Sequence, residues 1–186
     1  MKKYELTSET KVFLGKTLYR IKALVQFGNV NAGDLGGWIE KEENLSQYGN
    51  AWVSGNAEVS GNARVYGNAV VYGNAVVDGN AWVSGNAEVY GNAEVSGNAR
   101  VSGNAEVCKI GTVFWIGAIG SRNRTTTFFR CKDGKIYVSC GCFLGDLEEF
   151  SDKVKQTHGD NEHGRVYMLA IEMAKARIVE EKNEVH

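Results

Sequence analysis

The sequence predicts a mainly β protein built on a parallel β-helix, with an N-terminal β cap and a small C-terminal α+β module. One observation is the triplet Gly-Asn-Ala, which recurs at a spacing of six residues with glycine at 49, 55, 61, 67, 73, 79, 85, 91, 97 and 103. A strict short period of this kind is typical of a solenoid. A second observation is the absence of proline, because each central strand must donate backbone N–H groups to the next coil.

Each hexad has the form Gly-Asn-Ala-x-Val-x. Alanine and valine lie two residues apart, so both point inward from an extended segment while the variable residues point outward. Glycine and asparagine tolerate positive φ at the least cost, so they form the corner. Three hexads close one coil, which adds roughly 4.8 Å of height. We expect the corner asparagines to form hydrogen-bonded ladders from coil to coil.

We expect the solenoid to extend beyond the perfect triplets. Counting back in steps of six from Ala51 places Leu45, Ile39 and Gly33 at alanine positions, and counting back 18 from Val53 gives Leu35. Counting forward from Val107 gives Val113 and Ile119. The predicted domains are therefore an N-terminal cap over 1–32, the solenoid over 33–119 and the C-terminal module over 120–186.

The flanking segments have ordinary strand and helix signals. The first 32 residues contain β-branched and aromatic residues between turn signals, which predicts two or three strands that cover the open end of the solenoid. In the C-terminal module, FFRCKDGKIYVSCGCF predicts a hairpin. The apolar spacing in LEEFSDKVKQTH and RVYMLAIEMAKARI predicts two helices. Asp146 is the predicted N-cap of the first helix and Gly159 its end.

The hexads resemble the hexapeptide-repeat family of left-handed parallel β-helices, in which an aliphatic residue and a small residue two positions before it line the core. The left hand is implied by this resemblance alone. Known enzymes on this scaffold are acyltransferases, which use a histidine general base, and γ-type carbonic anhydrases, which bind zinc through histidines. Residues 33–119 contain no histidine. We therefore predict that the chain is not an enzyme.

The outward residues sort into three faces, because equivalent positions recur every 18 residues. The first face comprises Trp52, Ser54, Val70, Tyr72, Glu88 and Tyr90. The second face comprises Glu58, Ser60, Val76, Asp78, Glu94 and Ser96. The third face comprises Arg64, Tyr66, Trp82, Ser84, Arg100 and Ser102.

Exposed aromatic clusters usually mark an interface. The predicted interface residues are Trp52, Val70, Tyr72, Tyr90 and Trp82. As in most hexapeptide-repeat proteins, we expect a homotrimer, here with the first face of one subunit against the third face of its neighbour. Glu88 and Glu106 would then meet Arg64 and Arg100. The alternative is that scattered surface aromatics have no function.

A second resemblance covers nearly the whole chain. LYRIKAL, AGDLGGWIEKEENLS, the hexads and SRNRTTTFFRCKDGKIYVSCGCF together resemble a family of uncharacterised proteins from bacteriophages and prophages of Gram-positive bacteria. Its terminal motifs are more specific than the hexads. The resemblance implies a viral origin but no settled activity.

The segment after the solenoid is the predicted ligand site. It concentrates guanidinium, hydroxyl and amide donors, which suit the phosphate of a nucleotide-type small molecule. The predicted ligand-binding residues are Ser121, Arg122, Asn123, Arg124, Thr125, Thr127, Arg130 and Tyr137. Tyr137 or Phe129 is available to stack on a base. The alternative is a solvated loop that leads into a strand.

Cys108, Cys131, Cys140 and Cys142 are expected to be thiols, because the chain has no export signal. A Cys3His zinc site of Cys131, Cys140, Cys142 and His158 is an alternative. The spacing C-x-C differs from the usual C-x-x-C, and two thiols on one strand face are often simply buried. We therefore predict no metal and no cofactor.

Composition limits the partners. The net charge of −1 excludes a globally basic binder of duplex nucleic acid. No apolar run approaches the ~20 residues of a membrane span, and MKKYELTSETK lacks the apolar core of a signal peptide. We therefore expect a protein of the host cytoplasm without a membrane partner.

The leading functional prediction is a phage-encoded, non-enzymatic trimer that sequesters a nucleotide-derived signal of bacterial defence. It combines the Arg- and Thr-rich segment with the viral resemblance. The first alternative is a module that blocks a host protein or serves in the virion. A hexapeptide-type acyltransferase is less favoured, because the solenoid lacks a histidine.

Overall fold

The computed structural model describes residues 1–109, 111–131 and 133–178. In chain order it contains an antiparallel hairpin, a parallel β-solenoid, a four-stranded antiparallel sheet and two α-helices. The predicted fold class, mainly β with a small C-terminal α+β part, is confirmed. The left hand of the coil stays a prediction from the resemblance.

Short parallel strands form the solenoid, one for each hexad. They are β4 (Trp52–Val53), β5 (Glu58–Val59), β6 (Arg64–Val65), β7 (Val70–Val71), β8 (Val76–Val77), β9 (Trp82–Val83), β10 (Glu88–Val89), β11 (Glu94–Val95), β12 (Arg100–Val101) and β13 (Glu106–Val107). Strands three apart in the chain pair in parallel, as in β4-β7-β10-β13 and β6-β9-β12. The inward-facing alanines and valines of these hexads, the third and fifth residues of Gly-Asn-Ala-x-Val-x, are at most 1% exposed and form one continuous core.

The corners are built as the repeat predicts. The ten glycines of the triplets have φ between 64° and 74°. A Cβ on Gly85 would also lie 2.8 Å from the backbone nitrogen of Gly103 in the next coil. The corner at Gly85 therefore needs glycine for two reasons, its dihedral angle and the close approach of the next coil.

Three asparagine ladders run along the corners, with Nδ2 of each rung donating to Oδ1 of the next at 3.1–3.3 Å. The ladders are Asn50-Asn68-Asn86-Asn104, Asn56-Asn74-Asn92 and Asn62-Asn80-Asn98. The prediction that these amides serve the scaffold is confirmed.

The first coil departs from the predicted register. Ile39 pairs with Val59 and Leu45 with Val65, so partners lie 20 residues apart instead of 18. Both residues are buried, but at valine positions instead of the predicted alanine positions. Leu35 is 51% exposed and does not line the core. Counting back from Ala51 was wrong because two extra residues separate Leu45 from the first perfect triplet.

Two strands form the N-terminal cap, as predicted. β1 (Tyr4–Phe13) and β2 (Lys16–Ala23) form a hairpin, and β2 pairs antiparallel with β3 (Leu35–Ile39). β3 then pairs in parallel with β5, so the cap continues one sheet of the solenoid. A 3₁₀ turn (Glu42–Asn44) follows β3.

The C-terminal sheet lies across the other end of the solenoid. Its strands are β14 (Val113–Ile119), β15 (Arg124–Arg130), β16 (Ile136–Cys140) and β17 (Phe143–Asp146), paired antiparallel in chain order. Phe129 and Trp115 pack against the solenoid core, whereas Phe128 and Val138 pack against the helices. The sheet is therefore a second cap.

Val113 and Ile119 lie in this sheet, so the prediction that they continue the solenoid is wrong. Val113 pairs antiparallel with Phe129 instead of in parallel with an earlier coil. After Cys108 the chain has no Gly-Asn-Ala corner. Without that corner the apolar run VFWIGAI forms one long strand.

Two helices cover the outer side of the sheet. They are α1 (Leu147–His158) and α2 (Glu162–Arg177). Asp146 caps α1 by accepting hydrogen bonds from the backbone N–H groups of Glu148 and Glu149, and α1 ends at Gly159, both as predicted. In the described part of the chain, no helix is both long and apolar enough to cross a membrane.

Candidate ligand-binding cleft

A cleft of about 640 Å³ opens on the third face beside the two extra residues, Gln47 and Tyr48. They bulge out of the corner that joins Leu45 to the first perfect triplet. The residues that line the cleft are Glu42, Glu43, Leu45, Ser46, Gln47, Tyr48, Arg64, Val65, Tyr66 and Trp82. A break in the six-residue period therefore creates a concave surface on an otherwise regular coil.

The N-terminal strand holds the bulge in place. The Gln47 side chain accepts hydrogen bonds from the backbone N–H groups of Lys3 (2.8 Å) and Tyr4 (3.3 Å). The Tyr4 hydroxyl donates to the carbonyl of Leu45 at 2.7 Å. Burial, with a smaller effect of Glu42, raises the pKa of Tyr4 well above its usual value, so this phenol stays a neutral donor. Tyr48, by contrast, points outward and is 85% exposed.

The floor of the cleft contains a supported indole ring. The ring of Tyr66 meets the ring of Trp82 edge-on, with centroids 6.0 Å apart at 84°. The guanidinium of Arg100 lies 4.7 Å from the centroid of the Trp82 ring. Such contacts stabilise each pair by roughly 0.5–1.5 kcal/mol. The indole is therefore held in a defined orientation while it remains partly exposed.

Charged groups of both signs border the cleft. Glu42 is paired with Lys2 at 2.6 Å. The side chain of Arg64 is exposed, and it has no hydrogen-bond or ion-pair partner within residues 1–109, 111–131 and 133–178. A guanidinium next to aromatic rings is suited to an anionic group on a planar ligand.

The first face presents a stacked pair of tyrosines. The rings of Tyr72 and Tyr90 are 5.0 Å apart and nearly parallel, at 4°. Their hydroxyls donate to the carboxylates of Glu88 and Glu106. The hydrogen bond to Glu106, followed by burial, raises the pKa of Tyr90 well above its usual value. The face therefore displays flat rings and carboxylates in a fixed array.

Trp52 is not available as an interface residue. It is 5% exposed, and the rings of Phe27 and Tyr4 cover it with centroids 5.3 Å and 6.3 Å away. The N-terminal cap thus uses this side chain as core, a contact that the hexad pattern cannot reveal. Val70, Tyr72, Tyr90 and Trp82 remain half-buried on the surface.

The structure separates the predicted ligand residues of the C-terminal module. Ser121, Arg122 and Asn123 are exposed in the turn between β14 and β15. Arg124 begins β15 and Arg130 ends it, so their Cα atoms are roughly 20 Å apart in an extended strand. These arginines do not converge on one pocket.

The other predicted ligand residues of β15 and β16 lie in the sheet that caps the solenoid. Thr127 is fully buried, and its hydroxyl accepts a hydrogen bond from the backbone N–H of Arg100 at 2.9 Å. Thr125 is half-buried in the same strand. The Tyr137 hydroxyl donates to Asp133 at 3.2 Å. Thr127 therefore joins the cap to the last coils.

The cysteines of the alternative zinc site lie apart. Cys131 packs against the solenoid core just beyond β15, and burial raises the pKa of its thiol to about 12. Cys140 packs on the helical side, where its thiol accepts a hydrogen bond from the Thr126 hydroxyl. Among the described residues, no three His, Cys, Asp or Glu side chains form a group that could hold a metal ion. The Cys3His arrangement is therefore not formed.

Comparisons with known proteins support the repeat. The family model described as the YdcK β-solenoid repeat matches residues 57–72. The chain is a β-solenoid repeat protein. It is 38% identical over 61 residues to the uncharacterized acetyltransferase YdcK of Escherichia coli (strain K12), an alignment that covers 28% of this chain. The same alignment spans only 19% of the length of the Escherichia coli protein.

Sequence reasoning missed Glu42, Glu43, Gln47 and Tyr48 as lining residues of the cleft. The available signal was the interval between Leu45 and Val53, which is eight residues instead of six. An interruption of a strict period places extra side chains at the surface, because the inward positions on either side keep their pairing partners.

Proposed function

We propose that this protein is a non-enzymatic, homotrimeric β-solenoid that binds an anionic, planar small molecule of the nucleotide class in the cleft of the third face. The observation behind this proposal is the supported indole of Trp82 next to the guanidinium of Arg64, which has no hydrogen-bond or ion-pair partner among the described residues. Stacking of a base on an aromatic side chain contributes roughly 1–3 kcal/mol. An arginine fork adds charge-assisted hydrogen bonds to a phosphate.

This location replaces the Arg- and Thr-rich segment as the favoured site. In that segment Arg124 and Arg130 lie at opposite ends of a strand, and Thr127 is buried. In the cleft, an aromatic floor and the guanidinium of Arg64 border one concave volume. A ligand with a ring and a phosphate therefore reaches both groups at once.

Isothermal titration against cyclic dinucleotides and ADP-ribose-type nucleotides tests the proposal. We expect binding that Trp82→Ala weakens at least about tenfold, the effect of losing one stacked base. Arg64→Ala should weaken it similarly. Arg122→Ala is the matched control and should leave the affinity unchanged. A loss caused by Arg122→Ala with none from Trp82→Ala would return the site to the C-terminal segment, and no binding by the unaltered protein would refute the ligand class.

The homotrimer remains part of the proposal. The first face carries Glu88 and, one coil further on, Glu106, and the third face carries Arg64 and Arg100, so two copies present opposite charges at equivalent positions of the repeat. In this assembly the neighbour's first face borders the cleft, so the ligand binds between two subunits. Arg100 then meets Glu106 of the neighbour, and Arg64 faces the ligand. A first face against a third face closes by threefold rotation. Light scattering tests this: Arg100→Glu should dissociate the trimer, and adding Glu106→Arg should restore it. If light scattering gives the mass of a monomer for the protein without substitutions, the proposed trimer is wrong.

The biological role that we propose is sequestration of a nucleotide-derived immune signal by a phage protein. Its support is the viral resemblance of the terminal motifs together with the cleft. Expression in bacteria that have a nucleotide-signalling defence should restore phage plating, and Trp82→Ala should abolish the effect. Protection that persists in Trp82→Ala would favour the alternative, a direct block of a host protein.

Acyl transfer is a second candidate function, favoured by the name of the Escherichia coli relative. That relative is described as an acetyltransferase. In this chain, residues 33–119 contain no histidine that could act as general base. Release of free coenzyme A from acetyl-CoA, measured with a thiol reagent in the presence of candidate acceptors, would establish this activity. No binding of acetyl-CoA would remove it.

A further inference from the structure

A second, separate cavity lies where the solenoid meets the C-terminal sheet. It has a volume of about 410 Å³. The lining residues are Ser102, Gly103, Asn104, Cys131, Asp133, Tyr137 and Leu144. It contains the end of one asparagine ladder, the turn between β15 and β16, and a side chain of β17. None of these residues lines the cleft of the third face.

The last rung of the ladder presents unused donors to this cavity. At the earlier rungs of this ladder, the backbone N–H of asparagine donates to a glycine carbonyl one coil further on, and Nδ2 donates to the next asparagine; Asn86 does both. Asn104 has no following coil. Among the described residues, neither its backbone N–H nor its Nδ2 has a hydrogen-bond partner. The backbone N–H and Nδ2 of Asn104 therefore face the positions where a following coil would supply a glycine carbonyl oxygen and an asparagine Oδ1.

The opposite side of the cavity supplies a carboxylate and apolar surface. Asp133 is held in place by the Lys135 backbone N–H (3.0 Å) and the Tyr137 hydroxyl (3.2 Å). Each bond uses one lone pair of a carboxylate oxygen, so the group can accept further hydrogen bonds. The ring of Tyr137 and the side chain of Leu144, which is 47% exposed, provide the apolar part.

We propose that this cavity binds a free apolar α-amino acid whose carboxylate takes the place of the missing ladder rung. The two carboxylate oxygens accept from the backbone N–H and Nδ2 of Asn104, as the glycine carbonyl and asparagine Oδ1 do within the solenoid. The α-ammonium group donates to Asp133. The side chain of the ligand lies against Tyr137 and Leu144.

Nuclear magnetic resonance of the ¹⁵N-labelled full chain tests this proposal, with L-leucine and L-leucinamide as probes. L-leucine should shift the backbone and side-chain amide signals of Asn104 in a saturable way. L-leucinamide lacks the carboxylate and should bind at least about tenfold more weakly, since a charge-assisted pair of hydrogen bonds is lost. Equal affinity for the two probes, or no shift with L-leucine, would overturn the proposal.

Two variants and a matched control locate the site. Asn104→Asp keeps the acceptor for Asn86 but replaces the Nδ2 donor by an oxygen, so it should weaken L-leucine at least about tenfold. Asn98→Asp is the matched control, because Asn98 also ends a ladder but does not line this cavity; it should change nothing. Asp133→Asn removes the carboxylate that meets the α-ammonium group, so it should weaken the binding of L-leucine. Acetate has no ammonium group, so its affinity, expected to be low, should be the same for both proteins. An equal loss in Asn98→Asp would contradict the proposed site.

Discussion

The corner after Leu45 and the regular corners of the solenoid differ by two residues, and that difference separates a scaffold from a candidate site. At a regular corner, glycine turns the chain and asparagine bonds to the next rung. At the corner after Leu45, Gln47 turns toward the N-terminal strand and Tyr48 turns outward, and a cleft opens beside them. The regular repeat stabilises the coil, whereas its interruption provides a surface that a ligand can enter.

The largest expected effect is at a regular corner. Gly85→Ala combines a φ of 67° with a Cβ only 2.8 Å from the next backbone nitrogen. We expect a loss of about 3 kcal/mol in the free energy of unfolding, measured by denaturant titration. Gly134→Ala is the control: its φ is 79° but a Cβ there meets nothing within 4 Å, so about 1 kcal/mol is expected. Equal losses would show that close approach of the coils has no role.

The corner after Leu45 should depend on a side chain instead. Gln47→Ala leaves the part-buried backbone N–H groups of Lys3 and Tyr4 without their acceptor, which should cost about 2 kcal/mol of unfolding free energy. Gln156→Ala, on the exposed side of α1, should cost less than about 0.5 kcal/mol. If both variants unfold at the same denaturant concentration, the N-terminal strand does not hold the bulge.

The asparagine ladder should show a smaller, position-dependent effect. Asn68 both donates to Asn86 and accepts from Asn50, whereas Asn104 only accepts. Asn68→Ala should therefore cost about 1 kcal/mol and Asn104→Ala about half of that. Thermal unfolding of the two variants measures the difference, and a larger loss for Asn104→Ala would contradict the ladder model.

The last expected effect is a pH dependence at the corner after Leu45. The Lys3 ammonium is buried and donates to the carbonyl of Ala51 at 2.8 Å, and burial lowers its pKa from 10.5 to about 8. Above pH 8 the unfolded chain therefore holds more protons than the folded one. Stability then rises with pH through this group, by up to about 1 kcal/mol per unit.

The window that tests Lys3 lies between pH 8 and 9. The pKa of Cys131 is raised by burial from 9.0 to about 12, so the loss of stability caused by this thiol grows mainly above pH 9, and it is the same in Lys3→Met. Denaturant titrations of Lys3→Met should lack the rise that the unaltered protein shows in that window. A parallel pH profile for the two proteins would mean that Lys3 keeps its ordinary pKa.

Much of the fold could be predicted because the repeat is local chemistry. Gly-Asn-Ala-x-Val-x specifies which residues turn, which point inward and which face solvent within six residues. The two ends of α1 could also be predicted, since Asp146 and Gly159 act on adjacent backbone groups. The end of the solenoid could not be predicted as well. The apolar run continues past the last Gly-Asn-Ala corner, but without further corners Val113 joins the sheet of the second cap.

The candidate site was predicted less well, for a different reason. The Arg- and Thr-rich segment was chosen by composition, yet a strand of seven residues holds Arg124 and Arg130 at opposite ends. Trp52 was assigned to an interface, but distant residues Tyr4 and Phe27 cover it. Trp82 was identified as a surface aromatic, and only the structure places it beside Tyr48 in a cleft.

By itself, the sequence determined the coil, its corners and the three outward faces, because each depends on residues at most one hexad apart and then repeats. Only the tertiary structure decided which residues of those faces stay accessible and where concave surfaces lie. The physical reason is that both caps act through long-range contacts. Gln47 bonds to Tyr4 of β1, and Thr127 bonds to Arg100 of β12, across 43 and 27 positions of the chain. The period specifies neither contact, and the cleft of the third face lies beside the first of them.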